Sequence, residues 1–209
     1  MLTDSILLLA LSIPAAPATE PAPVASFDQD PRQPFEPALA LPYTYIGVAY
    51  LSASVDGYSD DPDGLTIDAS VSLNDMWFAF GSRDALSGEV AGNDVDVNTW
   101  HAGLGLRTSV ATNVDLVLGA GMAFLDADSS APGSGNDEAL ELRAGIRAAL
   151  GERGELGAGA IYTDWNDNDS VTTVYLQGAY YLEKRIGITA GFSSSDDVDA
   201  FAIGVRFVP

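Results

Sequence analysis

One histidine, His101, and a scatter of carboxylates and arginines are the groups in this chain that could do chemistry. With no cysteine and no second histidine, nucleophilic catalysis would need a serine or threonine beside His101 and an acid such as Glu141. No G-x-S-x-G or comparable nucleophile motif accompanies them, so the expectation is a non-enzyme with a hydrogen-bonded histidine. The acids cluster instead. Asp60, Asp61 and Asp63, and again Asp164, Asp167 and Asp169, supply dense hard-oxygen ligands of the kind Ca²⁺ takes. Their spacing departs from the EF-hand pattern of acids at 1, 3 and 5 and a glutamate at 12. Solvated loop charge is therefore the plain reading, and no other cofactor is called for.

What must position these residues is a set of strands. From Trp100 to Thr108 the even positions are Trp100, Ala102, Leu104, Leu106 and Thr108, and the odd ones are His101, Gly103, Gly105 and Arg107. After a turn at Val110 to Asn113, Val114, Leu116, Leu118, Ala120, Met122 and Phe124 form one face, and Asp115, Val117, Gly119, Gly121 and Ala123 the other. A period of two on both sides of a tight turn predicts an antiparallel hairpin with one apolar face. The opposite face is small, charged and mixed. A membrane barrel turns the first face to lipid and encloses the second.

The same pattern recurs along the chain. Tyr43 to Val55, with Ile46, Val48 and Tyr50 outward, predicts the first strand, and Leu65 to Leu73 the second. Met76, Phe78 and Phe80 lead a third, whose loop would run from Asp84 to Asp96. After a second loop from Asp126 to Glu138, Leu140, Leu142, Ala144, Ile146, Ala148 and Leu150 face one way. Leu156 to Tyr162, Val174 to Leu182, Ile186 to Phe192 (with Ile188) and Phe201 to Phe207 (with Ile203) follow. Ten strands result, eight being the alternative, and their connections alternate between long and acidic and short. That layout predicts an all-β, up-and-down transmembrane barrel with short periplasmic turns and acidic external loops. Tyr43, Tyr45, Trp77, Phe78, Trp100, Phe124, Tyr162, Tyr180 and Phe207 fall near strand ends, where interfacial girdles belong.

The bulk numbers agree. The 209 residues are 47% apolar yet carry a net charge of −21, which requires segregated charge and grease. The acidic excess repels phosphate and excludes nucleic acid as a partner. Ile6 to Ile13 followed by Ala16-Pro17-Ala18 reads as a secretory signal over residues 1–18, although Asp4 replaces the usual basic n-region. Residues 19–42 are rich in proline and alanine and read as a linker, leaving residues 43–209 for the barrel.

A ten-stranded interior is narrow. The enclosed charges under this register are Asp68, Arg83, His101, Arg107, Asp115, Glu141, Arg143, Arg147 and Arg206. Enclosed charges must pair, and the expected pairs are Arg147 or Arg107 with Asp115, and Arg143 with Glu141. The lipid-facing set is Leu104, Leu106, Leu116, Leu118, Leu142, Ile146, Ile188 and Ile203.

The chain resembles the small outer-membrane barrels of Gram-negative bacteria, of the OmpX, OmpW and OmpA-membrane-domain type. The closing strand Phe201 to Phe207 (FAIGVRF) is similar to the C-terminal signal read by the barrel assembly machinery, with Val208 and Pro209 added after it. Tyr43 to Tyr45 with Tyr50, Ala69 to Leu73, Trp100 with Gly103 to Gly105, and Asn113 to Leu116 resemble xanthomonad outer-membrane proteins once described as activators of plant immunity. The resemblance implies surface location and release in outer-membrane vesicles, with links to motility or biofilm, and supplies no catalytic residues. The expectation drawn from the chain as a whole is a monomer of the outer membrane, in contact with its lipid and lipopolysaccharide, with a structural or surface-interaction role. The alternatives are a narrow, porin-like solute channel and a soluble or lipid-carrying barrel that binds an apolar ligand.

Overall fold

The computed structural model describes residues 41–55, 61–90, 93–129, 135–166, 170–196 and 198–209. Alternation along each segment makes ten strands: β1 (Tyr45–Val55), β2 (Asp63–Ser72), β3 (Trp77–Val90), β4 (Asn93–Ala111), β5 (Val114–Ser129), β6 (Gly135–Leu150), β7 (Gly154–Trp165), β8 (Val171–Glu183), β9 (Ile186–Ser194) and β10 (Val198–Phe207). Each pairs antiparallel with its neighbour, and β10 closes on β1, from Ile46 opposite Phe207 to Val55 opposite Val198. The barrel has ten strands and no open edge, so the eight-stranded alternative falls away.

Large apolar side chains point out of it. Leu104 is 52% exposed, and Leu118, Leu142, Ile146, Ile188 and Ile203 are similarly bare. Leu106 and Leu116 share that face, half-buried among their neighbours. A water-soluble barrel would converge these residues on one another. Here they form a continuous apolar exterior, the arrangement that hydrocarbon requires.

Three expectations need correction. The third strand is turned over: Trp77 is outward and Phe78 inward, only 7% exposed. The cause lies on the next two strands. Inward glycines on β4 and β5 leave hollows that the Phe78 and Phe80 rings fill, so close that a Cβ on Gly105 would lie 2.1 Å from Phe78 Cζ. Because side chains alternate, that choice flips every later position on β3. Arg83 is therefore exposed on the outer face, over the Trp100 ring at 4.9 Å and donating to Asn98 Oδ1 at 2.7 Å. Asp84 takes its place inside.

Second, the segments 84–96 and 126–138 are not simply loops. β3 and β4 pair up to Val90 and Asn93, and β5 and β6 up to Ala127 and Gly135. The barrel wall is thus much taller along β3–β6 than along β9, β10, β1 and β2. Third, Tyr43, Tyr45 and Phe78 belong to the interior and not to a girdle. Trp77, Tyr180 and Phe207 form the outward aromatic set toward the short-turn end, and Trp100, Phe124 and Tyr162 the set toward the tall end.

The glycine-floored aromatics yield a stability prediction. Gly105→Ala should cost about 1–3 kcal/mol through overpacking, read as a lowered urea midpoint for the barrel folded in vesicles. Adding Phe78→Leu should recover most of that loss, because the two sites share one volume.

Candidate functional site

The interior is organised by arginines that lie over aromatic rings. Tyr43, just ahead of β1, is 3% exposed and inserts into the short-turn end of the barrel. Arg107 from β4 and Arg147 from β6 both lie over its ring at 4.2 Å. Its hydroxyl donates to Asp115 Oδ2 at 3.1 Å, and its carbonyl accepts from Ser70 Oγ at 2.9 Å. The neighbouring Pro42 carbonyl accepts from Arg147 Nη2 at 3.0 Å. Burial pushes the Tyr43 phenol above its ordinary range, against the pull of Arg147 and, more weakly, Arg107. The phenol therefore stays protonated and keeps its donor role. From this ring a column of aromatics climbs the wall: Tyr43 to Phe78 at 5.1 Å, and Phe78 to Phe80 at 6.2 Å between centroids.

Beside Tyr43 lies the densest charge cluster. Glu155, at the start of β7, is 4% exposed. Its Oε1 accepts from Arg147 Nη2 at 2.6 Å and from Arg206 Nη1 at 3.2 Å, while Oε2 accepts from the Tyr181 hydroxyl at 3.1 Å. Arg206 also stacks over Tyr45 at 4.0 Å. Gly47, opposite both Arg206 and Asp68 in the register, leaves room for the Asp68 carboxylate to fold across it. Arg107, Arg147 and Arg206 thus share this layer with Asp68, Asp115 and Glu155. Their charges balance, as a low-dielectric interior demands.

A second cluster sits higher. His101 Nδ1 lies 2.7 Å from Glu141 Oε2, and its Nε2 3.6 Å from Asp84 Oδ2. Arg143 Nε donates to the other Glu141 oxygen, with its guanidinium over Phe80 at 4.4 Å. Glu141 is 1% exposed, the most completely buried large side chain described. Nδ1 is within hydrogen-bond distance of Glu141, whereas Nε2 faces Asp84 from beyond it.

Set against the sequence analysis, Arg143 meets Glu141, and His101 joins them. Asp115 does not pair with Arg147 or Arg107. Its oxygens take the Tyr43 and Ser109 hydroxyls instead, the latter at 2.7 Å, because Glu155 draws Arg147 toward β7. Glu155, Asp84, Tyr43 and Tyr45 were all missed. Parity alone would have found Glu155, one residue from the outward Leu156. Asp84 needed the true facing of β3. With Ile46, Val48 and Tyr50 outward, parity also puts Tyr43 and Tyr45 on the inward side, against their reading as girdle residues.

The acidic residues weighed as calcium ligands are dispersed where they can be described. Asp63 accepts from the Tyr50 hydroxyl at 3.1 Å, and Asp61 and Asp164 are exposed. Asp60, Asp167 and Asp169 lie outside the described residues. Among the described residues no group of three or more metal-ligating side chains comes together.

Comparison with known proteins follows the fold. A family model described as an outer membrane protein beta-barrel domain matches residues 5–181. No curated protein matches the chain. Among solved structures, Ail of Yersinia pestis, in complex with the heparin analogue sucrose octasulfate, is 20% identical, with a TM-score of 0.39 over 78% of this chain and 95% of that one. Neisserial surface protein A is 16% identical, with a TM-score of 0.42 over 79% and 96%. The KdgM porin is 11% identical, with a TM-score of 0.45 over 77% and 98%. The match spans most of the sequence and agrees with the closed, apolar-faced barrel: the chain belongs to the outer membrane protein beta-barrel domain family and is a protein of the bacterial outer membrane.

Proposed function

We propose that this barrel is a non-enzymatic, non-conducting protein of the outer membrane whose role is at the cell surface. The observation that carries this reading is the charge layer across the short-turn end. Arg147, Glu155 and Arg206 are each under a tenth exposed and tie β6, β7 and β10 together, with Tyr43 wedged beside them. Short turns belong to the periplasmic side of such barrels, so the layer seals the lumen toward the periplasm.

The tall wall is the counterpart. On its outward face Asp96 stands directly opposite Asp128, and Asn98 opposite Asp126. Carboxylates at this density beyond the Trp100 and Phe124 level keep the rim hydrated and repel anions. They also suit contact with lipopolysaccharide phosphates through divalent cations. Apolar side chains surround the barrel on all sides, which favours a monomer inserted by the barrel assembly machinery. The position of His101 between the Glu141 and Asp84 carboxylates suits a role without catalysis.

Planar-bilayer recording tests the seal. The folded protein should give no steady conductance, and the double variant Tyr43→Ala, Arg147→Ala should give resolved current steps. Steady anion-selective conductance of the unaltered protein would replace this reading with that of a narrow solute channel.

A further inference from the structure

Arg83 stands where the rest of the outward face would put an apolar residue. In the register it lies between Ile67 of β2 and Trp100 of β4, and Trp100 in turn faces Phe124 of β5. All three neighbours are exposed apolar side chains, so one cation interrupts a row that otherwise meets lipid. Among the described residues it is the only basic side chain on the outward wall. Arg107, Arg143, Arg147 and Arg206 point into the lumen, and Arg153, Lys184 and Arg185 lie in the short turns.

A lipid-facing guanidinium is costly unless its head reaches the headgroup layer and meets a counter-charge there. The first condition is satisfied. The side chain lies over the Trp100 ring at 4.9 Å and donates from Nη2 to Asn98 Oδ1 at 2.7 Å, toward the tall end of the barrel. The protein does not satisfy the second. Thirty acidic residues outnumber nine basic ones, yet among the described residues no carboxylate pairs with Arg83, and its side-chain acceptor is a neutral amide. The outward acids Asp96 and Asp126 lie beyond it, Asp126 directly opposite Asn98. An exposed guanidinium, oriented by a ring and an amide, is left to take its anion from outside the wall.

The level of Trp100 and Phe124 is the outer interface, since the short turns face the periplasm. A lipid reaches Arg83 sideways within the leaflet, whereas a free anion must pass the carboxylates of the rim. In the outer leaflet the anion at hand is the phosphate of lipid A, the membrane anchor of lipopolysaccharide, and a guanidinium takes phosphate in a two-pronged grip. The geometry points to Arg83, held by Trp100 and Asn98, as a direct binding site for a lipid A phosphate. This contact needs no divalent cation, unlike the carboxylate contacts described above. It shares with the surface role only the placement of the tall end outside the cell, and it stands whether or not the lumen is sealed.

Side-chain ¹⁵N–¹H NMR of the protein folded in dodecylmaltoside micelles, with EDTA present, provides the test. Diphosphoryl lipid A should shift the Arg83 Nε–H and Trp100 indole resonances saturably, while the Trp77 indole at the short-turn end stays in place. Arg83→Gln should weaken the Kd read from Trp100 at least about tenfold. Arg83→Lys, which keeps the charge and loses the stacked planar head, should fall between the two. No saturable shift, an equal shift at Trp77, or an unchanged Kd in Arg83→Gln would overturn the site. A shift that appears only when Mg²⁺ replaces EDTA would overturn it as well and leave the carboxylate bridge in its place. Phosphatidylglycerol or inorganic phosphate binding as tightly as lipid A would overturn the assignment to lipid A.

Discussion

Glu155→Ala is expected to be the most damaging single change in the lumen, lowering stability by about 3–5 kcal/mol. The residue holds Arg147 at 2.6 Å and Arg206 at 3.2 Å and takes the Tyr181 hydroxyl. Deleting it strands two guanidiniums, both under a tenth exposed, in a medium that solvates them poorly. Asp68 and Asp115 are too committed to make up the deficit, Asp115 already accepting two hydroxyls. Glu155→Gln keeps an acceptor but removes the charge, so its loss should fall between those of the alanine variant and the parent. Urea titration of the barrel in lipid vesicles, followed by heat-modifiable gel mobility, measures both. A loss below about 1 kcal/mol would place the cluster with solvated surface ion pairs and remove its claim to seal the lumen.

The second large effect concerns the other face. Leu104 is the central member of the outward row Trp100, Ala102, Leu104, Leu106 and Thr108 and is 52% exposed. Leu104→Arg should cost about 2–4 kcal/mol in a bilayer, whereas Thr108→Arg, near the turn, should cost only about 0–1 kcal/mol. The gradient with depth is the diagnostic quantity, because an outward position on a water-exposed barrel would show none. Folding equilibria in vesicles report it directly. Equal costs at the two positions would mean that Leu104 does not face hydrocarbon.

These two faces were not equally legible. The outer face is recorded locally. Hydrocarbon tolerates no charge at its centre, so strand after strand carries its own row of leucine, isoleucine and valine at every second position. Ten strands, their order and their outward sets could be read from that pattern without knowing how the strands meet. β3 is the exception, and an instructive one: it has aromatics on both parities at its start, Trp77 beside Phe78, so hydrophobicity could not choose between its faces. The hollows above Gly103 and Gly105 chose, and they exist only once β4 lies beside β3.

What the sequence by itself determined is therefore the barrel, its strand count and which side of most strands meets lipid, because a period of two and an apolar solvent act on one strand at a time. What only the tertiary structure decided is the interior: that Arg147 turns to Glu155 and leaves Asp115 to Tyr43, that Arg206 reaches the same acid from the last strand, and that Asp84 replaces Arg83 beside His101. Those partners are set by closure and stagger of the strands, which bring together side chains that are far apart along the chain. A pairing across an enclosed space depends on the distance between walls, and no local pattern encodes that distance.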